Sequence, residues 1–157
     1  MNIIDRQLLD ELSRQARENP RLRKNYNLHP SDDFCAHRLL NAMEPGSYIR
    51  PHRHLDPLKD ESMAMVRGSM GIVAFDEAGN VILARILSAG GDAVAVDIPH
   101  GSYHTVVSLE KGTIFFEAKA GPYIPLTEEE KAPWAPAEGD ATVAAYLARL
   151  EALFHTP

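Results

Sequence analysis

The stretch Gly46–Gly68, GSYIRPHRHLDPLKDESMAMVRG, decides how the rest of the chain is read. His52 and His54 stand two residues apart, and on extended backbone such a pair leaves the chain on one face. Two imidazoles placed that way can converge on one cation. Three carboxylates follow: Asp56, Asp60 and Glu61. Glu61 opens the apolar segment Ser62–Gly68, where a strand backbone would hold a ligand better than a loop. Asp56 is the alternative, being nearer to His54 with less chain to order. Asp60 has the opposite parity to Glu61 and points away from it if the strand has begun there.

Working outward, residues 34–119 alternate between short apolar runs and turn residues. Strands are expected over 34–43, 47–52, 62–68, 71–76, 81–88, 93–99, 104–109 and 113–119. Asp76–Asn80 and Glu110–Gly112 read as hairpin turns with glycine available for positive φ. About eight short strands at close spacing indicate a sandwich or barrel, with a jelly roll among the options. Upstream, Ile3, Ile4, Leu8, Leu9 and Leu12 recur at helical spacing until Pro20. Downstream of a proline-rich connection (121–139), Val143, Leu147, Leu150 and Phe154 line one face of a second helix, with Asp140 as its expected N-cap. The expected division is 1–33, a helix and connecting segment; 34–121, the β domain; and 122–157, the proline-rich connection and C-terminal helix.

The 157 residues carry a formal net charge of −6, which argues against nucleic acid or an anionic membrane as partner. Cys35 is the single cysteine, so no intrachain disulfide forms, and it is read as a small core residue in a cytoplasmic protein. The charged N-terminal segment lacks the apolar run of a signal peptide. A chain of this length needs no metal staple to fold. A bound metal would therefore be functional.

The spacing Gly46-x5-His52-x-His54-x6-Glu61-x6-Gly68, with Pro99-x-Gly101-x2-His104 downstream, resembles the two motifs of the cupin superfamily. Those motifs read G-x5-H-x-H-x3,4-E-x6-G and G-x5-P-x-G-x2-H-x3-N. The chain departs from them in three places. Six residues separate His54 from Glu61, seven separate Gly91 from Pro99, and Ser108 stands at the asparagine position. The resemblance implies an all-β fold, a single cupin (RmlC-like) jelly-roll β-barrel flanked by N-terminal and C-terminal helices. It also implies His52, His54, Glu61 and His104 as ligands to one divalent transition metal: zinc, iron, manganese, nickel or cobalt. The runs Ser47–His54, Ser102–Thr105 and Phe116–Tyr123 are similar to the WbuC-type cupin metalloproteins, which are associated with bacterial surface-polysaccharide (O-antigen) gene clusters.

Around that metal the sequence offers pocket candidates. Tyr48 and Arg50 share parity with the two histidines; Arg50 suits a carboxylate or phosphate, unless Pro51 breaks the alternation and leaves it solvated. Glu117 and Lys119 alternate with Phe115, facing either the interior or solvent. Inside, Glu117 or Tyr48 would move protons, while Lys119 or Arg38 would hold an anion and Tyr123 would close the mouth. His29, His37, His100 and His155 have no partner at ligand spacing. The expected function is a metal-dependent enzyme acting on a sugar or sugar nucleotide in surface-polysaccharide synthesis, an isomerase or epimerase first. A non-catalytic metal-dependent binding or sensing protein is the alternative, and an iron-dependent oxygenase a further one. The expected partners are a small anionic or sugar-like ligand and a second copy of the chain.

Overall fold

In the computed structural model, which describes residues 1–155, α1 (Arg6–Glu18) starts where the Asp5 carboxylate accepts from the Leu8 backbone N–H at 3.0 Å. Ile3 and Ile4 lie ahead of that cap and are exposed, so the helix begins later than the apolar spacing suggested. Eight strands follow: β1 (Arg23–Asn27), β2 (Ala36–Met43), β3 (Glu61–Arg67), β4 (Ser69–Phe75), β5 (Val81–Ser88), β6 (Ala95–Ile98), β7 (Tyr103–Ser108) and β8 (Thr113–Ala120). Helix α2 (Val143–Ala152) closes the described chain. Asp140 accepts from the backbone and hydroxyl of Thr142 just ahead of it, and Thr142 is the N-cap.

The strands form two antiparallel sheets, β1-β2-β8-β3-β6 and β5-β4-β7, packed face to face as a jelly roll. They are hydrogen-bonded as separate sheets and do not close into one barrel. Alternation along each strand sorts side chains into layers. Met43, Met63, Met70, Ile72, Leu87, Val106 and Phe115 fill the space between the sheets. Leu40, Ala42 and Ile114 point outward and pack against Leu9, Leu12 and Ala16 of α1. Val73, Phe75, Tyr103 and Val107 point out of the other sheet onto Leu147, Leu150 and the proline-rich segment. Both helices therefore seal outer faces of the sheets.

The reading differs from the chain's path at two segments. Strand β1 runs through the expected connecting segment; its sequence, RKNYN, has no apolar alternation, and it is held by its pairing with β2. Residues 47–51 are not a strand. Pro51 has no N–H to donate to a ladder, and the Ser47 N–H turns back to the Glu44 carbonyl at 3.1 Å. Pairing starts only at His52, whose N–H and C=O bond the C=O and N–H of His104 at 3.0 and 2.9 Å.

Candidate metal centre

That short bridge places two histidines from distant parts of the chain side by side. The ring centroids of His52 and His104 are 4.7 Å apart, those of His52 and His54 5.5 Å, and those of His54 and His104 6.3 Å. Glu61, the first residue of β3, faces them from the other sheet and is buried. Its Oε2 lies 3.2 Å from His104 Nε2 and 3.5 Å from His54 Nε2. Ligand atoms of His52, His54 and Glu61 all lie within 4.8 Å of one another.

The tautomers follow from the backbone. His104 Nδ1 is 2.9 Å from the Ser102 carbonyl and His52 Nδ1 is 3.1 Å from the Arg50 carbonyl. A carbonyl only accepts, so each Nδ1 carries its proton and each Nε2 keeps its lone pair in the neutral ring. Burial first, then the neighbouring His104, pull His52 down to about 3, which leaves it neutral at pH 7. An Nε2 lone pair and a carboxylate oxygen at 3.2 Å repel unless a cation or a proton lies between them. The buried His54 Nε2 has no hydrogen-bond partner among the described residues. Ligands about 2.1 Å from a metal stand about 3.0 Å apart at a right angle and about 3.4 Å apart in a tetrahedron. The observed 3.2 Å falls within that range and 3.5 Å lies just above it. Imidazole nitrogens and a carboxylate gathered in this way could hold a divalent transition metal.

Register extends the site across the five-stranded sheet. His37, Lys119 and Glu61 lie in one row over β2, β8 and β3, with Leu39, Glu117 and Met63 in the next. Lys119 Nζ lies 3.2 Å from Glu61 Oε1 and 2.6 Å from Glu117 Oε1, and Asn41 Nδ2 donates to Glu117 Oε2 at 2.8 Å. Burial works against the charge on Glu61, yet contacts with His104, His54 and Lys119 outweigh it and hold the carboxyl well below its usual range. Burial, then the Glu61 charge, push Glu117 up to about 8 against the pull of Lys119. For Lys119 burial opposes the charge, but the two carboxylates prevail and raise it above the ordinary lysine value.

These residues line a cavity of about 1110 Å³ that also takes in Arg50 and Tyr123. The half-buried Arg50 gives Nε and Nη2 to the Ala132 carbonyl at 3.1 and 2.7 Å, so it braces the proline-rich segment. Tyr123 stands exposed at the rim. Tyr48 and Arg38 are corrections. Without a strand at 47–51, Tyr48 does not follow the parity of the histidines; it packs beside Tyr146 and donates to the Pro136 carbonyl at 2.8 Å, away from the cavity. Arg38 is exposed because His37 and Leu39 take the inner face of β2. Asp56 is likewise exposed and shapes a turn, accepting from the Leu58 and Lys59 N–H groups. Cys35 is exposed outside β2 and is no core residue. The sequence reading missed Asn41 and the His29–His37 pair, whose rings stack at 4.0 Å on the cavity wall. Asn41 shares the Leu39 parity of β2, but nothing local marks that face as inward.

The fold is a cupin-like jelly roll, and its histidines and Glu61 form a candidate metal site. The chain is similar to KdgF from Halomonas sp., with 19% identity over 66% of this chain and 81% of that one, at a TM-score of 0.50. It is also similar to the oxalate decarboxylase of Bacillus subtilis, a protein with Mn(II) centres, with 18% identity over 70% of this chain and 27% of that one, at a TM-score of 0.48. No curated protein matches the sequence. The chain belongs to the family described as a domain of unknown function, DUF6016, whose pattern matches residues 4–87.

Proposed function

We propose that this chain is a WbuC-type cupin metalloprotein and a metal-dependent isomerase or epimerase of an anionic sugar or sugar nucleotide in bacterial surface-polysaccharide synthesis. One observation carries the enzymatic reading over a binding module. Glu117, tied to Asn41 and Lys119, shares one cavity with three imidazoles and Glu61. A pocket built only to hold a ligand has no use for a buried acid–base group beside a metal centre. His52, His54, Glu61 and His104 would hold the metal, which supplies Lewis-acid polarisation of a substrate oxygen when bound.

The chain's own side chains do the rest. Asn41 fixes one oxygen of Glu117, leaving Oε1 to exchange a proton. As carboxylate, Glu117 removes a proton from the hydroxyl-bearing carbon beside a carbonyl; as carboxylic acid, it returns that proton to the former carbonyl carbon while the hydroxyl proton passes to the former carbonyl oxygen, so charge and atoms balance. Lys119 steadies the ionised form. Met43, Met63, Val106 and Phe115 of the inter-sheet core form the apolar part of the cavity wall beside Glu117. The free edge of β5, with exposed Val81, Ile82, Leu83 and Ile86, supports pairing with a second copy. Among the described residues no helix is long and apolar enough to cross a membrane.

The test is solvent exchange. Metal-loaded protein is incubated in D2O with a panel of aldose and ketose sugars and sugar acids, and deuterium at carbon is read by NMR. Wild type is expected to label at least one compound, and Glu117→Gln to keep its metal and lose the labelling. Metal-loaded wild type that labels nothing would move the reading to a binding module.

A further inference from the structure

The loop Leu55–Asp60 buries an unexpected residue for a surface turn. Leu55 and Leu58 are 41% and 79% exposed, while Lys59 is only 8% exposed. Asp56 enforces this arrangement: its carboxylate accepts from the Leu58 N–H at 2.9 Å and its carbonyl accepts from the Lys59 N–H at 2.9 Å. Turning Leu58 in and Lys59 out would recover both apolar burial and ammonium hydration. The fold does the opposite.

Lys59 Nζ donates to the Pro122 carbonyl at 3.0 Å and joins no ion pair among the described residues. An ammonium has three donors, and a buried cation is stable only when its charge is met. One neutral carbonyl does not meet it. Lys59 lines the cavity that holds the metal centre, and that lining has seven lysine and arginine side chains against four carboxylates, in a chain of net charge −6. Four of the other six cations are paired with carboxylates, Lys24 is exposed, and Arg50 is committed to the Ala132 carbonyl. That leaves one buried cation with donors to spare.

We propose that Lys59 is the anion-holding residue of this cavity. It binds the oxyanion group, carboxylate or phosphate, of a ligand whose other end reaches the His52, His54, Glu61 and His104 cluster. The inference rests on the reading of the cavity as a site for an anionic sugar. It assigns to Lys59 the role that the sequence reading gave to Lys119 or Arg38. The volume of about 1110 Å³ is ample for a sugar acid or sugar phosphate.

The experiment is isothermal titration of protein of measured metal content with D-gluconate, glycerol phosphate and the neutral polyol sorbitol. Wild type is expected to bind one of the two anions well above sorbitol, and which one separates carboxylate from phosphate recognition. Lys59→Met is expected to lose roughly 10- to 100-fold in anion affinity, the scale of a charge-assisted hydrogen bond, with its metal content unchanged. Lys59→Arg, which keeps the charge, is expected to restore most of it. Unaltered anion affinity in Lys59→Met would make Lys59 a mere tie to Pro122 and overturn the proposal. So would wild type that prefers neither anion to sorbitol. A wild type that takes up no metal, yet loses anion affinity on Lys59→Met, would keep the role of Lys59 and discard the metal-dependent reading.

Discussion

His104 hangs from the three-stranded sheet and Glu61 from the five-stranded one, so an ion between them cross-links the two halves of the fold. Removing that ion is the perturbation. At free metal about 100 times the dissociation constant, binding to the folded state alone adds about 2.7 kcal/mol. A chain of this size gains about 2–4 °C in melting midpoint per kcal/mol, so loading should raise the midpoint by about 5–11 °C. His104→Ala deletes the ligand on the three-stranded side. A site weakened about a hundredfold would be half-filled at the same metal concentration, adding about 0.4 kcal/mol and less than about 2 °C. The assay is differential scanning calorimetry of chelator-treated and zinc- or manganese-loaded protein, with metal content determined on each sample. The metal-free variant should still unfold cooperatively, because the core around Phe115 and Met43 is untouched. Equal midpoints with and without full loading would refute the cross-link, and so would an undiminished rise in His104→Ala.

Three further outcomes test the packing around the site. Asn41→Leu should cost about 1–3 kcal/mol in urea unfolding, because it leaves a buried Glu117 oxygen unpaired, while metal content stays near one per chain. Tyr48→Phe, which removes only the bond to Pro136, should cost about 1 kcal/mol and leave metal content and anion binding unchanged; a loss of either would return Tyr48 to the site. Gly68→Ala should destabilise by at least about 1 kcal/mol in the same urea assay. The glycine has φ +72°, and an added Cβ would meet Thr113 Oγ1 at 2.8 Å and its Cα at 3.1 Å.

Much of the site was legible because its signals are local. The interval between His52 and His54, and that from Glu61 to Gly68, can be read without knowing where the chain goes, and so can the alternation that puts Phe115, Glu117 and Lys119 on one side of β8. The misplacement of Arg38 shows where such signals end. Alternation says which residues share a face, never which face turns inward. On β2 it grouped His37 with Asn41 and Arg38 with Leu40, and only the packing of α1 on Leu40 and Ala42 exposed Arg38. Tyr48 was placed by a parity that Pro51 and the Glu44 turn abolish.

By itself, then, the sequence determined a β-rich domain between two helices, and the chemistry of the groups available to a metal. Only the tertiary structure decided that Glu61 meets His104 across the two sheets, that His37, Lys119 and Glu61 share a row, and that Lys59 turns in while Leu58 turns out. The physical reason is that strand register and loop direction depend on hydrogen bonds and burial between segments far apart in the chain. No spacing within one segment encodes them.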